Sequence, residues 1–196
     1  MERAAVGFRV KSGWAMAVLL TGPSAAPRVL DRRRVDLSDP AEPDALQPYH
    51  PGLEIHGLRG ARETSHLVRA VKRYAKTSLA RLFRSYATTH RLGGVGIVAG
   101  SLVDPASIAN DHIRAHAEEG RLFREVIEKA ATTARLRSFI VREKELYERA
   151  SAALGQPAHR LKPLVAALGE MVDGSWRAEE KAAALAAWMV LGTRGR

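Results

Sequence analysis

Residues 5–21 read AVGFRVKSGWAMAVLLT, and this stretch decides the fold. It contains two β-prone runs, at residues 5–10 and 14–21, which flank a Lys-Ser-Gly turn at residues 11–13. Glycine in such a turn is typical of a tight hairpin. A third β-prone run follows at residues 28–37, so we expect the chain to begin with a three-stranded antiparallel meander.

The remainder of the chain alternates between helical and strand patterns. A helix is predicted over residues 63–90, because its apolar residues recur at spacings of three and four. Asp104 followed by Pro105 is typical of a helix start, which predicts a second long helix from there to about residue 133. Apolar runs predict strands at 95–99 and 139–141, and the C-terminal part is predicted to form helices over residues 144–154, 161–172 and 177–191.

The segment between the third strand and the first helix is rich in proline. Residues 38–62 hold four prolines and several glycines, which is too broken for a regular element and long for a bare connection. A chain of 196 residues is long enough for one well-buried core. We therefore expect one domain over residues 1–196, with a proline-rich surface insertion at about 38–62.

Composition narrows the classes of partner. The formal net charge is +10, and arginine supplies 24 of the 31 basic residues. A positive surface favours nucleic acid, anionic membranes or acidic ligands. The chain has no cysteine, which excludes thiol catalysis, thiolate metal sites and disulfides.

The longest early apolar run is too short to cross a membrane. Residues 14–20 are seven apolar residues, whereas a membrane-spanning helix needs about 20. The same run weakly resembles the core of an export signal, but a β-strand explains it better. We therefore expect no membrane span and a cytoplasmic location.

The first long helix carries a basic face. Residues 59–91 contain nine basic residues and one acidic residue, and cations four residues apart on a helix repel each other by about a few tenths of a kcal/mol per pair. A bound polyanion would relieve this repulsion, and a merely basic surface is the alternative. The candidate nucleic-acid-binding residues are Arg69, Lys72, Arg73, Lys76 and Arg84 on this helix, with Arg32, Arg33 and Arg34 on the third strand if it lies nearby.

The second long helix carries a candidate metal site. His112, His116 and Glu119 are offset by four and three residues, which places them within about 60° of one another on a helix. Two imidazoles and a carboxylate are suitable ligands for a divalent metal such as Zn²⁺. The alternatives are a solvated helical face or a hydrogen-bonded His116, and in either case we expect no cofactor.

The predicted order of elements resembles that of the ribonuclease H-like superfamily. That fold is an α/β fold with a mixed five-stranded sheet, three antiparallel strands first, helices on the faces of the sheet and a helical C-terminal tail. Within the superfamily the chain is most similar to the Holliday-junction resolvases. Their last helix carries an acidic residue, two small residues, another acid and Ala-Leu-Ala, and residues 180–186 here read EKAAALA.

The resemblance also implies where a nuclease would hold its metals. Such enzymes bind two divalent ions through acids on the first strand, at the end of the fourth strand and on the last helix. Here Arg9 stands at the first position, Ala99-Gly100 offers no acid at the second, and on the last helix Glu180 matches but Ala183 replaces the second acid. A cation at Arg9 repels Mg²⁺, so we do not expect two-metal nuclease activity, and other enzymatic activity is left open.

Sugar kinases and actin-like ATPases belong to the same superfamily and hold phosphates against the first hairpin. By this resemblance Arg9, Lys11 and Ser12 are candidate phosphate-binding residues, although the Asp needed for phosphoryl transfer is missing. A solvated, basic hairpin is the alternative.

Three hypotheses about function follow. The first is a non-nuclease ribonuclease H-like protein that binds nucleic acid or another polyanion through its basic helix. The second is a metal-dependent hydrolase that uses the His/His/Glu face. The third is an assembly protein whose C-terminal helix packs through Leu185, Trp188 and Leu191 against a partner, either a second copy in a homo-oligomer or a different protein.

Overall fold

Five strands form one mixed sheet in the computed structural model, which describes residues 1–55 and 57–193. The strands are β1 (Glu2–Lys11), β2 (Trp14–Thr21), β3 (Arg28–Asp36), β4 (His90–Ala99) and β5 (Ser138–Arg142). Their order in space is β3-β2-β1-β4-β5. The first three strands are antiparallel, whereas β4 is parallel to β1 and β5 is parallel to β4. The structure confirms the predicted α/β fold, with a mixed sheet that begins with an antiparallel meander.

Helices cover both faces of this sheet. They are α1 (Pro51–Glu54), α2 (Gly57–Ala87), α3 (Asp111–Thr133), α4 (Leu146–Leu154), α5 (Ala158–Ala167) and α6 (Ala178–Gly192). In the part of the chain that the structure describes, no helix is both long enough and apolar enough to cross a membrane.

The side chains of β1 point alternately to the two faces of the sheet, and each face has its own hydrophobic core. Phe8 points toward α2 and α3, where its ring meets the edge of Phe83 at a centroid distance of 6.1 Å. Ala5 points to the opposite face, where α4, α5 and α6 pack against the sheet. Successive side chains of a strand face opposite sides, so one strand serves both cores.

The second long helix begins later than predicted. Asp104 caps only a short 3-10 helix, Pro105–Ser107, by accepting a hydrogen bond from the backbone of Ala106. The long helix α3 begins later, where the Asn110 side chain accepts from the backbone N–H of Ile113. Both residues are good N-caps, and the sequence pattern alone does not show which of them starts the longer helix.

The proline-rich insertion is shorter and more regular than predicted. It contains a 3-10 helix, Pro43–Leu46, followed by α1. Both helices start with proline, which is compatible with the first turn because its missing N–H has no partner there. The helix α2 then begins at Gly57, within the range that the sequence assigned to the insertion.

The last helix lies directly on the two central strands. Gly7 of β1 and Gly96 of β4 are partners in the parallel register. A Cβ atom at Gly7 would lie 1.8 Å from the carbonyl oxygen of Ala183, and one at Gly96 would lie 2.6 Å from that of Ala186. The glycines therefore let the backbone of α6 approach closer than any side chain would allow.

This position of α6 contradicts the predicted assembly contact. Leu185, Trp188 and Leu191 are 0%, 2% and 6% exposed, because the chain's own sheet and neighbouring helices cover them. The Trp188 indole also donates a hydrogen bond of 2.8 Å to the carbonyl of Ser24. A helix that is apolar all round is buried, so the prediction of a homo-oligomer contact through these side chains is wrong.

Two glycine substitutions, one at the contact and one as a control, test how closely α6 approaches β1. We expect Gly7→Ala to lower the free energy of unfolding by about 3 kcal/mol, since the new methyl group meets helix backbone that cannot rotate away. The control is Gly120→Ala on α3, where a Cβ meets nothing within 4 Å. Better helix propensity should make that variant about 1 kcal/mol more stable. Urea unfolding measures both, and a Gly7→Ala protein as stable as wild type would contradict the close approach.

Candidate functional site

The position that a nuclease would use for metals is occupied by a buried arginine. Arg9 is 5% exposed and lies at the carboxyl end of β1. Its guanidinium donates to both carboxylate oxygens of Glu143, at 3.1 Å and 2.5 Å, and to the carbonyl of Val10. A Cβ at Gly100, just after β4, would lie 3.9 Å from Arg9 Nη2. Arg9 therefore fills the space between the ends of the two central strands.

Two further ion pairs surround this position. Lys11 Nζ lies 3.2 Å from Glu179 Oε1, and Arg32 Nη1 lies 3.2 Å from Glu180 Oε1. Glu180 is buried, and its other oxygen accepts from the backbone N–H of Arg177 at the start of α6. The pKa of Glu179 is lowered by a hydrogen bond to its own backbone N–H and by Lys11. The acids at this end of the sheet thus already have cationic partners.

These pairs also bear on the candidate phosphate residues. Arg9 and Lys11 are each bound to a carboxylate, and Ser12 is exposed in the hairpin turn. A guanidinium that already holds a bidentate carboxylate has few donors left for a phosphate. The geometry argues against a shared phosphate site at Arg9, Lys11 and Ser12.

A basic groove lies on the other face of the sheet, between the C-terminal half of α2, the start of β4 and the C-terminal half of α3. Its cavity volume is about 1350 Å³. Its floor is apolar and includes Phe83, Leu92 and Val126. Six cationic residues line it: Lys72, Arg73, Lys76, Arg84, Arg91 and Lys129.

The cations of the basic groove are not neutralised. Across residues 1–55 and 57–193, none of the six forms an ion pair with a carboxylate. Glu125 is the acidic residue that lines the groove, and it lies 3.8 Å from Arg121 outside it. The groove therefore carries a concentrated positive charge on an exposed surface.

Four of the sequence-predicted residues on α2 line this groove, and Arg69, about one turn earlier, does not. The sequence missed Arg91 and Lys129. Arg91 is the second residue of β4. Lys129 lies on α3, whose sequence is not strongly basic. Only the packing of α2 against α3 and β4 brings them together with the basic face of α2.

The three arginines of β3 do not extend the basic groove. They alternate between the two faces of the strand, and each has a local partner. Arg32 pairs with Glu180, Arg33 with Asp31 at 2.6 Å, and Arg34 with Asp36 at 3.0 Å. Arg33 also lies over the ring of Tyr86, and Arg34 over the ring of Trp14. The three arginines are therefore paired with acids near the edge of the sheet, and they do not line the groove.

A histidine cluster forms where the proline-rich insertion meets α3. His50 of the insertion packs against His112 and His116, with ring centroids 4.5 to 4.9 Å apart. One ring nitrogen from each of the three residues lies within 4.8 Å of the others. Glu119 is 0% exposed and lies beneath the rings, with Oε1 2.7 Å from His50 Nδ1 and Oε2 3.3 Å from His116 Nδ1.

This arrangement changes the predicted set of ligands. His112 and His116 share a face as predicted, but Glu119 points into the protein and contacts histidines instead of standing beside them at the surface. His50 takes the third place. It lies 62 residues before His112 in an irregular segment, so no periodic pattern could associate the two.

The histidine cluster and the basic groove are separate sites. Both use α3, but His116 lies near its start and Lys129 near its end. Their separation of 13 positions corresponds to about 20 Å along a helix. None of the three histidines lines the groove, so one cleft does not serve both.

Comparison with known proteins shows the fold. No family model and no curated protein matches the sequence. The RuvC structure from Thermus thermophilus superposes with a TM-score of 0.56 at 11% identity, covering 95% of this chain and 92% of that one. T. thermophilus RuvC in complex with a Holliday junction substrate gives a TM-score of 0.56 at 9% identity, covering 95% and 91%. The chain therefore has a ribonuclease H-like fold similar to that of the RuvC Holliday-junction resolvase, as its order of elements predicted.

Proposed function

We propose that this protein binds nucleic acid through the basic groove and does not cleave it by two-metal chemistry. The observation that carries the proposal is the set of six cations around one exposed groove that, within residues 1–55 and 57–193, form no ion pair with a carboxylate. Like charges placed together without counterions destabilise a fold, and a polyanion offsets that cost by replacing the repulsion with attraction. Binding would also release counterions from the phosphates, which adds to the affinity.

The chemistry of the groove indicates what it would recognise. Lysine and arginine contact phosphate oxygens, and such contacts position a nucleic acid without reading its sequence. Arg73, Arg84 and Arg91 can each offer a planar fork to a phosphate. Phe83 of the apolar floor is 4% exposed, so its ring offers little surface for base stacking. We therefore propose binding to the backbone, with weak sequence preference.

The similarity of fold to RuvC favours nucleic acid over other polyanions as the ligand of the groove. The similar RuvC structure was solved in complex with a Holliday junction substrate. A shared fold does not carry a function by itself, and the charge of the groove is the independent argument. Together they favour a nucleic-acid ligand over a small acidic metabolite.

Ion pairs at the carboxyl end of β1 weigh against a two-metal nuclease site. Mg²⁺ needs carboxylate oxygens that are free to coordinate it. At the ends of β1 and β4 the acids Glu143, Glu179 and Glu180 are held by cations, and the Arg9 guanidinium occupies the centre. A metal there would have to displace a buried cation from its bidentate partner.

The salt dependence of binding tests the groove. We expect the double variant Lys76→Gln/Arg84→Gln to bind a mixed-sequence DNA or RNA oligonucleotide at least about tenfold more weakly at low salt, and its slope of log K against log salt to be smaller by about 2. Fluorescence anisotropy over a salt series measures both quantities.

The matched control removes the same charge elsewhere. Lys144→Gln/Arg149→Gln changes two exposed cations near α4, outside the groove. This variant should keep close to the wild-type slope. Equal losses in the two double variants, or no binding by wild type at low salt, would contradict the proposed groove.

A cleavage assay tests the absence of nuclease chemistry. We expect wild-type protein with Mg²⁺ or Mn²⁺ to cleave a four-way DNA junction no faster than buffer with the same metal, because Arg9 and Arg32 hold the carboxylates of Glu143 and Glu180. Denaturing gel electrophoresis of labelled strands measures the cleavage. Metal-dependent cleavage that disappears in Glu143→Gln or Glu180→Gln would overturn this part of the proposal.

A further inference from the structure

The histidine cluster has the composition of a metal site. His50, His112 and His116 each bring one ring nitrogen to within 4.8 Å of the other two. Three imidazole ligands around tetrahedral Zn²⁺ lie about 3.4 Å apart, given Zn–N bonds of about 2.0 to 2.1 Å. His112 and His116 are exposed, so small rotations of their side chains can close the difference.

The buried carboxylate orients the ring of His50. Glu119 Oε1 lies 2.7 Å from His50 Nδ1 in a hydrogen bond. Glu119 Oε2 lies 3.3 Å from His116 Nδ1 and, within residues 1–55 and 57–193, has no hydrogen-bond partner. A His50 ring that donates its Nδ1 proton to this carboxylate presents the lone pair of Nε2 on its opposite side, where it can bind a metal.

The second ring nitrogen of His50, Nε2, has an unusual environment. His50 Nε2 is buried and, within residues 1–55 and 57–193, has no hydrogen-bond partner. Leaving a buried polar atom without a hydrogen bond destabilises the native state, because the atom has lost its hydration. A cation bound at Nε2 would remove this cost, which is a second observation that points to a ligand at the same place.

We propose that His50, His112 and His116 bind one Zn²⁺ ion through one ring nitrogen each, with Nε2 as the ligand atom of His50 and Glu119 as its positioning residue. Nitrogen ligands select zinc and related transition metals over Mg²⁺ and Ca²⁺, which prefer oxygen. The site joins the proline-rich insertion to α3. It therefore fixes a segment that is otherwise held by few regular elements.

Three histidine ligands leave the fourth position of a tetrahedral zinc open to water. Glu119 is 0% exposed beneath the rings, and Glu118 lies 2.7 Å from Arg121. Neither side chain is a free, exposed carboxylate, so the two acids nearest in sequence do not supply a separate general base for the predicted metal-dependent hydrolase.

Isothermal titration of untagged, full-length protein with Zn²⁺ tests the site. We expect one ion per chain, with affinity weakened at least about 100-fold in His112→Ala and in His116→Ala. Loss of a carboxylate that orients a ligand lowers metal affinity about 10- to 100-fold, so Glu119→Gln should fall in that range. His159→Ala changes an exposed histidine of α5 outside the cluster and should bind as wild type.

Thermal unfolding separates loss of a ligand from loss of the fold. Because His112 is exposed, His112→Ala should unfold at the wild-type temperature without metal. Zinc should raise the unfolding temperature of wild type and leave that of His112→Ala unchanged, since binding to the native state stabilises it. No saturable binding by wild type, or stoichiometric binding kept by both His112→Ala and His116→Ala, would overturn the proposal. Neither result bears on the groove, so the two proposals fail independently.

Discussion

The close approach of α6 to the central strands is the constraint on which the rest of the structure depends. Gly7 and Gly96 remove the side chains that would hold the helix away, and the alanines of α6 present backbone to that gap. The helix cannot slide along the sheet without a steric clash. Its first turn is therefore held at the carboxyl end of β1, where Glu179 and Glu180 meet Lys11 and Arg32.

The cations at the carboxyl end of β1 and those of the basic groove have different surroundings. At the end of β1, Arg9, Lys11 and Arg32 are each paired with an acid. Within residues 1–55 and 57–193, the six cations of the basic groove form no ion pair with a carboxylate, although they surround a single groove. The proposed function follows from this difference, because paired cations stabilise the fold and a cluster of unpaired cations attracts a polyanion.

The sequence predicts what local patterns encode. The first hairpin, the order of the strands and the basic face of α2 could all be read from residue spacing, and the charge at Arg9 could be read from its position on the first strand. The partners of Arg9 could not, because Glu143 lies 134 residues away and meets it only in the folded sheet. His50, Arg91 and Lys129 were missed for the same reason. The burial of Glu119 depends on the insertion that covers it, and no periodicity of α3 reports that contact.

Lysine footprinting with a bound oligonucleotide tests the central claim most directly, since it locates the ligand on the surface. Three of the seven lysines, Lys72, Lys76 and Lys129, line the basic groove, and Lys11, Lys144, Lys162 and Lys181 lie elsewhere. Mass spectrometry after acetylation should show the first three protected by nucleic acid and the other four as reactive as in the free protein. Equal protection of all seven, or protection concentrated at Lys11 and Lys181 on the α6 side, would contradict the account.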